Sequence, residues 1–166
     1  MNHKQKTLID RLEASGKDFA QYLAQLSDAE LFAASAPTEW TIHQAAAHMR
    51  DTEQYVFLAR VERIMREAHP AVQNFDQDEH WKTHPYSANE PIKKIIADFR
   101  AARRKLIARL RKASNQDWAN WAAHSAYGKI SLEWLAMHDY HHTLEHVAQI
   151  GYAREKQVLA ELKEAR

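Results

Sequence analysis

Residues 92–110 read IKKIIADFRAARRKLIARL, and Ile92, Ile95, Ile96, Phe99, Leu106, Ile107 and Leu110 recur at three- and four-residue steps. That spacing places the apolar side chains on one stripe of a helix; a strand would repeat every second residue. Asn89 and Pro91 sit where such a helix would open, and the pattern runs to about Ala113. The outer face reads as Lys93, Lys94, Arg100, Arg103, Arg104, Lys105, Arg109, Arg111 and Lys112, a solvated basic surface balanced by neighbouring acids.

Three other segments share the period. From His3 to Gln25, Leu8, Leu12, Phe19, Leu23 and Leu26 form a stripe. From Thr41 to Ala68, Thr41 is an N-cap candidate, and Ile42, Ala45, Ala46, Met49, Val56, Phe57 and Ile64 form a broad face that must end before Pro70. The last runs from Ser131, another cap candidate, to Ile150, where Gly151 ends or kinks it. Tyr152 to Arg166 reads as a short amphipathic helix with Val158, Leu159 and Leu162 inward. The connections 70–89 and 114–130 are long, and neither carries a strand signal; the first has the length of a functional loop or of one holding a short helix. The expected fold class is all-α: a four-helix bundle with long crossover loops and a short C-terminal helix, residues 1–166 forming one domain. In such bundles, sites are built from side chains that face the axis.

Composition narrows the function. The chain has 166 residues, 45% apolar and 27% charged, the profile of a soluble globular protein. With 23 Lys and Arg against 22 Asp and Glu, the formal charge is +1, which argues against a broad nucleic-acid footprint. The absence of Cys excludes disulfides, thiolate zinc sites, iron–sulfur clusters and thiol nucleophiles. No secretory h-region and no run approaching the ~18 apolar residues of a spanning helix is visible, so a cytoplasmic protein without membrane partners is expected. Glycine is scarce at 3 residues and histidine abundant at 11.

Five of these histidines invite attention. His138-Asp139-Tyr140-His141-His142-Thr143-Leu144-Glu145-His146 lies in the fourth helix. His138 and His142, four apart, stand one above the other, with Ser131, Leu135, Glu145 and Gln149 on the same stripe. His141 flanks the stripe and His146 lies on its other edge. Two imidazoles at this spacing can reach one metal ion, and burying them otherwise is unfavourable. His48, on the edge of the second helix's apolar face beside small Ala45 and Thr52, would complete a three-histidine set with open coordination positions. Zinc, nickel, iron(II) or manganese suits such a site. Glu53 and Arg60 fall on the inner stripe of the second helix; Glu53 reads either as half of an internal ion pair or as a group orienting a ligand imidazole. Glu145 admits the same two roles and that of general base or extra ligand.

Thr38-Glu39-Trp40-Thr41 followed by His48 and Asp51-x-Glu53 resembles the W-[ST]-x6-H-x2-D-x-E region of the DinB/YfiT-like superfamily of metal-dependent enzymes. His138-x2-His141-His142 with Gln149-Ile150 is similar to its H-x2-H-H segment, and Gly128-Lys129-Ile130-Ser131-Leu132 to the turn before it. Arg60 and Phe75-Asp76 resemble the link from the second helix into the crossover. The likeness spans approximately residues 5–155. It implies up-down-down-up helix order and one divalent ion, zinc or nickel foremost, held by His48, His138 and His142, with His141 pointing away. It also implies thiol-dependent S-transferase, isomerase or hydrolase chemistry on a small-molecule substrate, with a low-molecular-weight thiol as a second cofactor, and a homodimer is compatible with it. A cationic patch at Arg60 and Arg63 would suit an anionic thiol or acid. The competing expectation is a non-catalytic, metal-binding or stress-related bundle; nucleic-acid binding through the third helix is weaker still.

Overall fold

A computed structural model describes residues 1–164 of the chain. Helix α1 (His3–Ala24) begins at Asn2, whose side chain accepts from the Gln5 N–H while Gln5 reaches back, a reciprocal cap. A short α2 (Asp28–Leu31) follows. Helix α3 (Ile42–Thr52) starts at Thr41 as expected, in a capping box with Gln44. It runs without a break through a π-helical turn, Glu53–Leu58, into α4 (Ala59–Arg66). Helix α6 (Ile92–Lys112) begins one residue after Pro91, three residues later than the Asn89 opening. Helix α8 (Leu132–Glu164) follows Ser131, whose hydroxyl accepts from the Trp134 N–H at 3.2 Å.

These four long elements bury their apolar stripes against one another, α1 and α3 each packing against both α6 and α8. The core has two parts. One gathers Ile9, Leu12, Phe57, Leu106, Leu110 and Leu135; the other gathers Phe19, Leu23, Met49, Ile95, Phe99 and Ile150. Phe19 and Phe99 meet edge-to-face at 5.1 Å. Each such side chain removed from water contributes about 1.5–3 kcal/mol, which is what closes the bundle.

Three expectations change. The connections hold β-structure that the sequence pattern did not announce: β1 (Ala71–Val72) pairs parallel with β2 (Trp121–His124), and β2 pairs antiparallel with β3 (Gly128–Ser131). Strands of two and four residues are too short to establish a period. The first connection does hold a short helix, as its length allowed, α5 (Gln77–Thr83), capped by Asp76; the second carries α7 (Asn115–Ala119), which was not expected. As far as Glu164 the tail is not a separate helix, and Ala165 and Arg166 lie outside the described residues. Gly151 leaves α8 unbroken, and Val158, Leu159 and Leu162 are exposed rather than inward. At 33 residues against 22 for α1, α8 outruns that partner, and the apolar side chains of its last described turns stay in solvent. Finally, Arg103 is not on the outer face of α6. It is buried at 4% exposure, in a polar layer between the two halves of the core.

Candidate metal centre

Three imidazoles converge where α3 faces α8. His48 Nε2 lies 3.1 Å from His142 Nε2, and His146 Nε2 lies 3.2 Å from the same atom. One ligand nitrogen from each of the three residues lies within 4.8 Å of the others. The third member is thus His146, and His138, expected in that place, is elsewhere. Its ring stacks on Trp134 at 4.6 Å and lies 5.9 Å from Phe57. Both histidine pairs on α8 have the required four-residue spacing, and the level of His48 chooses between them. Glu53 and Asp139 meet through Arg103 at one level of the bundle. His48 lies five residues before Glu53; His142 and His146 lie three and seven residues beyond Asp139. His138 lies on the wrong side of that level. His141 is exposed, away from the cluster, as expected.

Hydrogen bonds fix the tautomers. The Nδ1–H of His48 donates to Oε1 of Gln77, and that of His146 donates to Oε1 of Gln149 at 2.8 Å. An amide oxygen only accepts, so these rings keep their protons on Nδ1 and present bare lone pairs at Nε2. His142 can offer at most one proton to two such lone pairs, and its Nδ1 is buried without a partner. Burial strengthens the arrangement. It pushes the pKa of His48 down to about 4 and that of His142 to about 2, with neighbouring imidazoles lowering both. Burial also lowers His146. All three are neutral at pH 7 and available as ligands. Trp40 covers His48 at 4.9 Å between ring centres, Trp81 lies against Trp40 at 5.4 Å, and Phe57 is 5.8 Å from His142. A divalent ion with nitrogens at about 2.0–2.1 Å separates them by roughly 2.9–3.4 Å, so the residues present fit one.

The remaining candidates separate clearly. Glu53 contacts no imidazole among its hydrogen bonds; it is fully buried and bound by Arg103 Nε and Nη2, each at 2.7 Å. Of the two roles open to it, the internal ion pair is the one formed. Glu145 is exposed on α8. Arg63 is tied to Glu67 and to the Ala71 carbonyl. Arg60 is buried and donates to the Gln73 carbonyl at 2.6 Å.

Gln77, Gln149 and Trp81 had no role in the sequence reading. Gln77 and Trp81 belong to α5, and Trp81 Nε1–H donates to Asp51 Oδ2 at 3.1 Å, holding α5 against α3. The cap residue Asp76 was the visible sign that a helix opens there. Gln149 did lie on the stripe of α8 that was singled out, one turn beyond His146.

Comparison with known proteins agrees with this architecture. YfiT from Bacillus subtilis, described as a probable metal-dependent hydrolase with an unusual four-helix bundle topology, superposes with a TM-score of 0.80 at 20% identity, over 95% of this chain and 90% of its own. The four-helix bundle protein TT2238 matches with a TM-score of 0.60 at 22% identity, over 87% of this chain and 98% of that one. The mycothiol-dependent maleylpyruvate isomerase gives 0.70 at 12% identity, over 89% of this chain and 60% of the other, so this chain spans less than two thirds of that protein. No curated protein matches the chain. At these identities the structures speak for the fold alone; membership rests on the family model of the DinB superfamily, which matches residues 11–150. The chain belongs to the DinB superfamily.

Proposed function

We propose that this chain is a divalent-metal-dependent enzyme acting on a small molecule, as a thiol-dependent S-transferase or a hydrolase, with His48, His142 and His146 as the ligands. The observation that carries the reading is that the Nε2 atoms of His48 and His146 face that of His142 at 3.1 and 3.2 Å, with too few protons among the three to satisfy them. A cation receives the lone pairs that otherwise repel.

Three protein ligands leave coordination positions open, as catalytic sites do and closed structural sites do not. Zinc or nickel suits the donor set best, and iron or manganese is compatible with it. Such an ion, when bound, supplies a Lewis acid that acidifies a water or a low-molecular-weight thiol and polarises an electrophile. The chain's own residues do the rest. Gln77 and Gln149 hold the rings in the ligating tautomer. Trp40, Trp81 and Phe57 exclude water from the imidazoles and keep them neutral. The descriptions of YfiT as metal-dependent and of the isomerase as mycothiol-dependent support the two chemistries named.

Up-down-down-up helix order belongs to the same reading. It is supported by Glu13–Arg111 and Phe19–Phe99, which run α1 against α6. Glu53–Arg103 and Glu62–Arg109 run α3 and α4 along α6, and Tyr22–Arg154 brings the end of α1 to the far half of α8.

The test is elemental analysis of untagged protein, followed by a panel of small thiols with electrophiles and of hydrolysable esters and amides. Metal near one equivalent per chain with turnover of either panel is expected. Protein that refuses divalent metal at micromolar concentrations would overturn the reading, and metal without turnover would leave a binding protein.

A further inference from the structure

Arg60 stands apart from the other buried arginine and from its half-buried neighbours. Arg103 meets Glu53 and Asp139, Arg50 meets Asp51 and Glu90, and Arg63 meets Glu67. Arg60 is 9% exposed, and no carboxylate lies in ion-pairing reach of it among the described residues. One of its five N–H donors is used, on the Gln73 carbonyl. Burial lowers the pKa of this guanidinium, as a cation without a counter-ion requires.

The surroundings supply donors and no negative charge. Gln73 follows Val72, which is in register with His124 across β1 and β2. His124 is 4% exposed, and its Nδ1 accepts the N–H groups of Ala126 and Tyr127. The proton therefore sits on Nε2, which is buried with no acceptor. The Tyr127 ring lies 4.8 Å from His124 and 5.9 Å from His138. Burial, reinforced by the charge of Arg60, holds both imidazoles below their ordinary range, so neither competes as a cation for an incoming anion. A pocket of about 180 Å³ opens on Arg60 between Val56, Val72, Asn74 and Phe75, with Arg63, already paired with Glu67, also on its wall. That is about six water volumes, enough for a short carbon chain.

We propose that Arg60 anchors a subsite for the carboxylate of a small organic ligand. The planar fork of a guanidinium matches two carboxylate oxygens, and the apolar walls suit the carbon chain behind them better than a bare inorganic anion. Arg60 lies one helical turn beyond Phe57, whose ring centre is 5.8 Å from that of His142. Use of the subsite by a substrate or thiol rests on the metal reading; the ion contact itself does not.

The experiment uses full-length protein freed of metal by chelation and dialysis, with butanoate and butanamide as probes and backbone amide NMR as the readout. Butanoate should shift the amides of Gln73, Asn74 and Phe75 saturably, and butanamide should not. Arg60→Gln should weaken butanoate binding at least tenfold, and Arg60→Lys, which keeps the charge but not the fork, should fall between. Butanamide or inorganic phosphate binding as well as butanoate would overturn the proposal. So would butanoate binding that is unchanged in Arg60→Gln, or that appears only after zinc is added. If Arg60→Gln fails to melt cooperatively, Arg60→Lys and the amide control decide. Protein that never binds metal but passes this test would sink the metal reading alone.

Discussion

Arg103 on α6 grips Glu53 through Nε and Nη2, both at 2.7 Å, and the same Nη2 reaches Asp139 Oδ1 at 2.7 Å. Its Nη1 donates to the Leu12 carbonyl at 2.9 Å, so one side chain ties all four long helices together. Burial, with the charge of Glu53 beside it, holds the Asp139 carboxyl well above the usual carboxylate range. Two buried carboxylates thus share this one guanidinium. Gly16 permits the approach: a Cβ there would stand 3.1 Å from Arg103 Cγ. Removing one partner of a buried charge set leaves the others uncompensated, which costs about 3–5 kcal/mol. Arg103→Leu should lose that much in urea unfolding, and Glu53→Gln, which keeps an acceptor, should lose less. A loss below about 1 kcal/mol for Arg103→Leu would show that the layer is not holding the helices.

His142→Ala and His146→Ala should each strip the metal, while His138→Ala and His141→Ala should keep it. Only the first two carry nitrogens in the cluster. Gln149→Leu removes the acceptor that orients His146 and should weaken binding by roughly 10- to 100-fold without abolishing it. Isothermal titration with zinc into each variant separates these classes. Metal loss from His138→Ala equal to that from His146→Ala would contradict the geometry.

The bundle was legible because its stripes are long. The apolar stripe over residues 92–110 leaves no alternative to a helix. Arg103 was misplaced because a single arginine inside a basic surface run looks like its neighbours; only the acids on other helices reveal it. Glu53 left two roles open, and the level of Arg103 on α6 settled which one was formed. His146 was missed for a related reason. A helical wheel gives angle without height, and the choice between two overlapping four-residue pairs is a question of height. The sheet escaped because β2 and β3, though a local hairpin, have four residues each, too few to establish a period, and β1 joins β2 only across 52 residues of chain, as Ala71 opposite Ala123 shows.

Acid should destabilise the metal-free protein. In the unfolded chain His48, His142 and His146 take protons near pH 6.5, while in the fold burial keeps the first down to about 4, the second to about 2 and the third lowered. Depressed folded values mean stability that is complete above about pH 6.5 and lost as pH falls toward the folded values. Each imidazole sets a limiting slope of about 1.4 kcal/mol per pH unit. Asp139, with its raised value, contributes the opposite slope, so the imidazole part is read by difference. Urea midpoints at pH 7.5 and 5.0 should converge less in wild type than in His142→Ala. Equal pH slopes in the two would show that His142 is not held neutral by the fold.

Metal should raise the melting temperature without being needed for folding. An ion that binds only the native state stabilises it by RT ln(1 + [L]/Kd), about 4 kcal/mol at a thousandfold excess over Kd. In a domain of this length about 1 kcal/mol moves the midpoint by roughly 2–4 °C, so zinc should add on the order of 10 °C when saturating. The apolar core forms two clusters whose side chains do not ligate, and the Arg103 layer joins the helices independently of the imidazoles. Chelation should therefore lower the midpoint and leave one cooperative transition. Complete unfolding on chelation would make the site structural, as in small metal-folded domains. A midpoint unmoved by chelator, in protein that elemental analysis shows to have held and then lost its ion, would mean that the three imidazoles are stable side by side without one. That outcome would remove the physical argument for metal at this site.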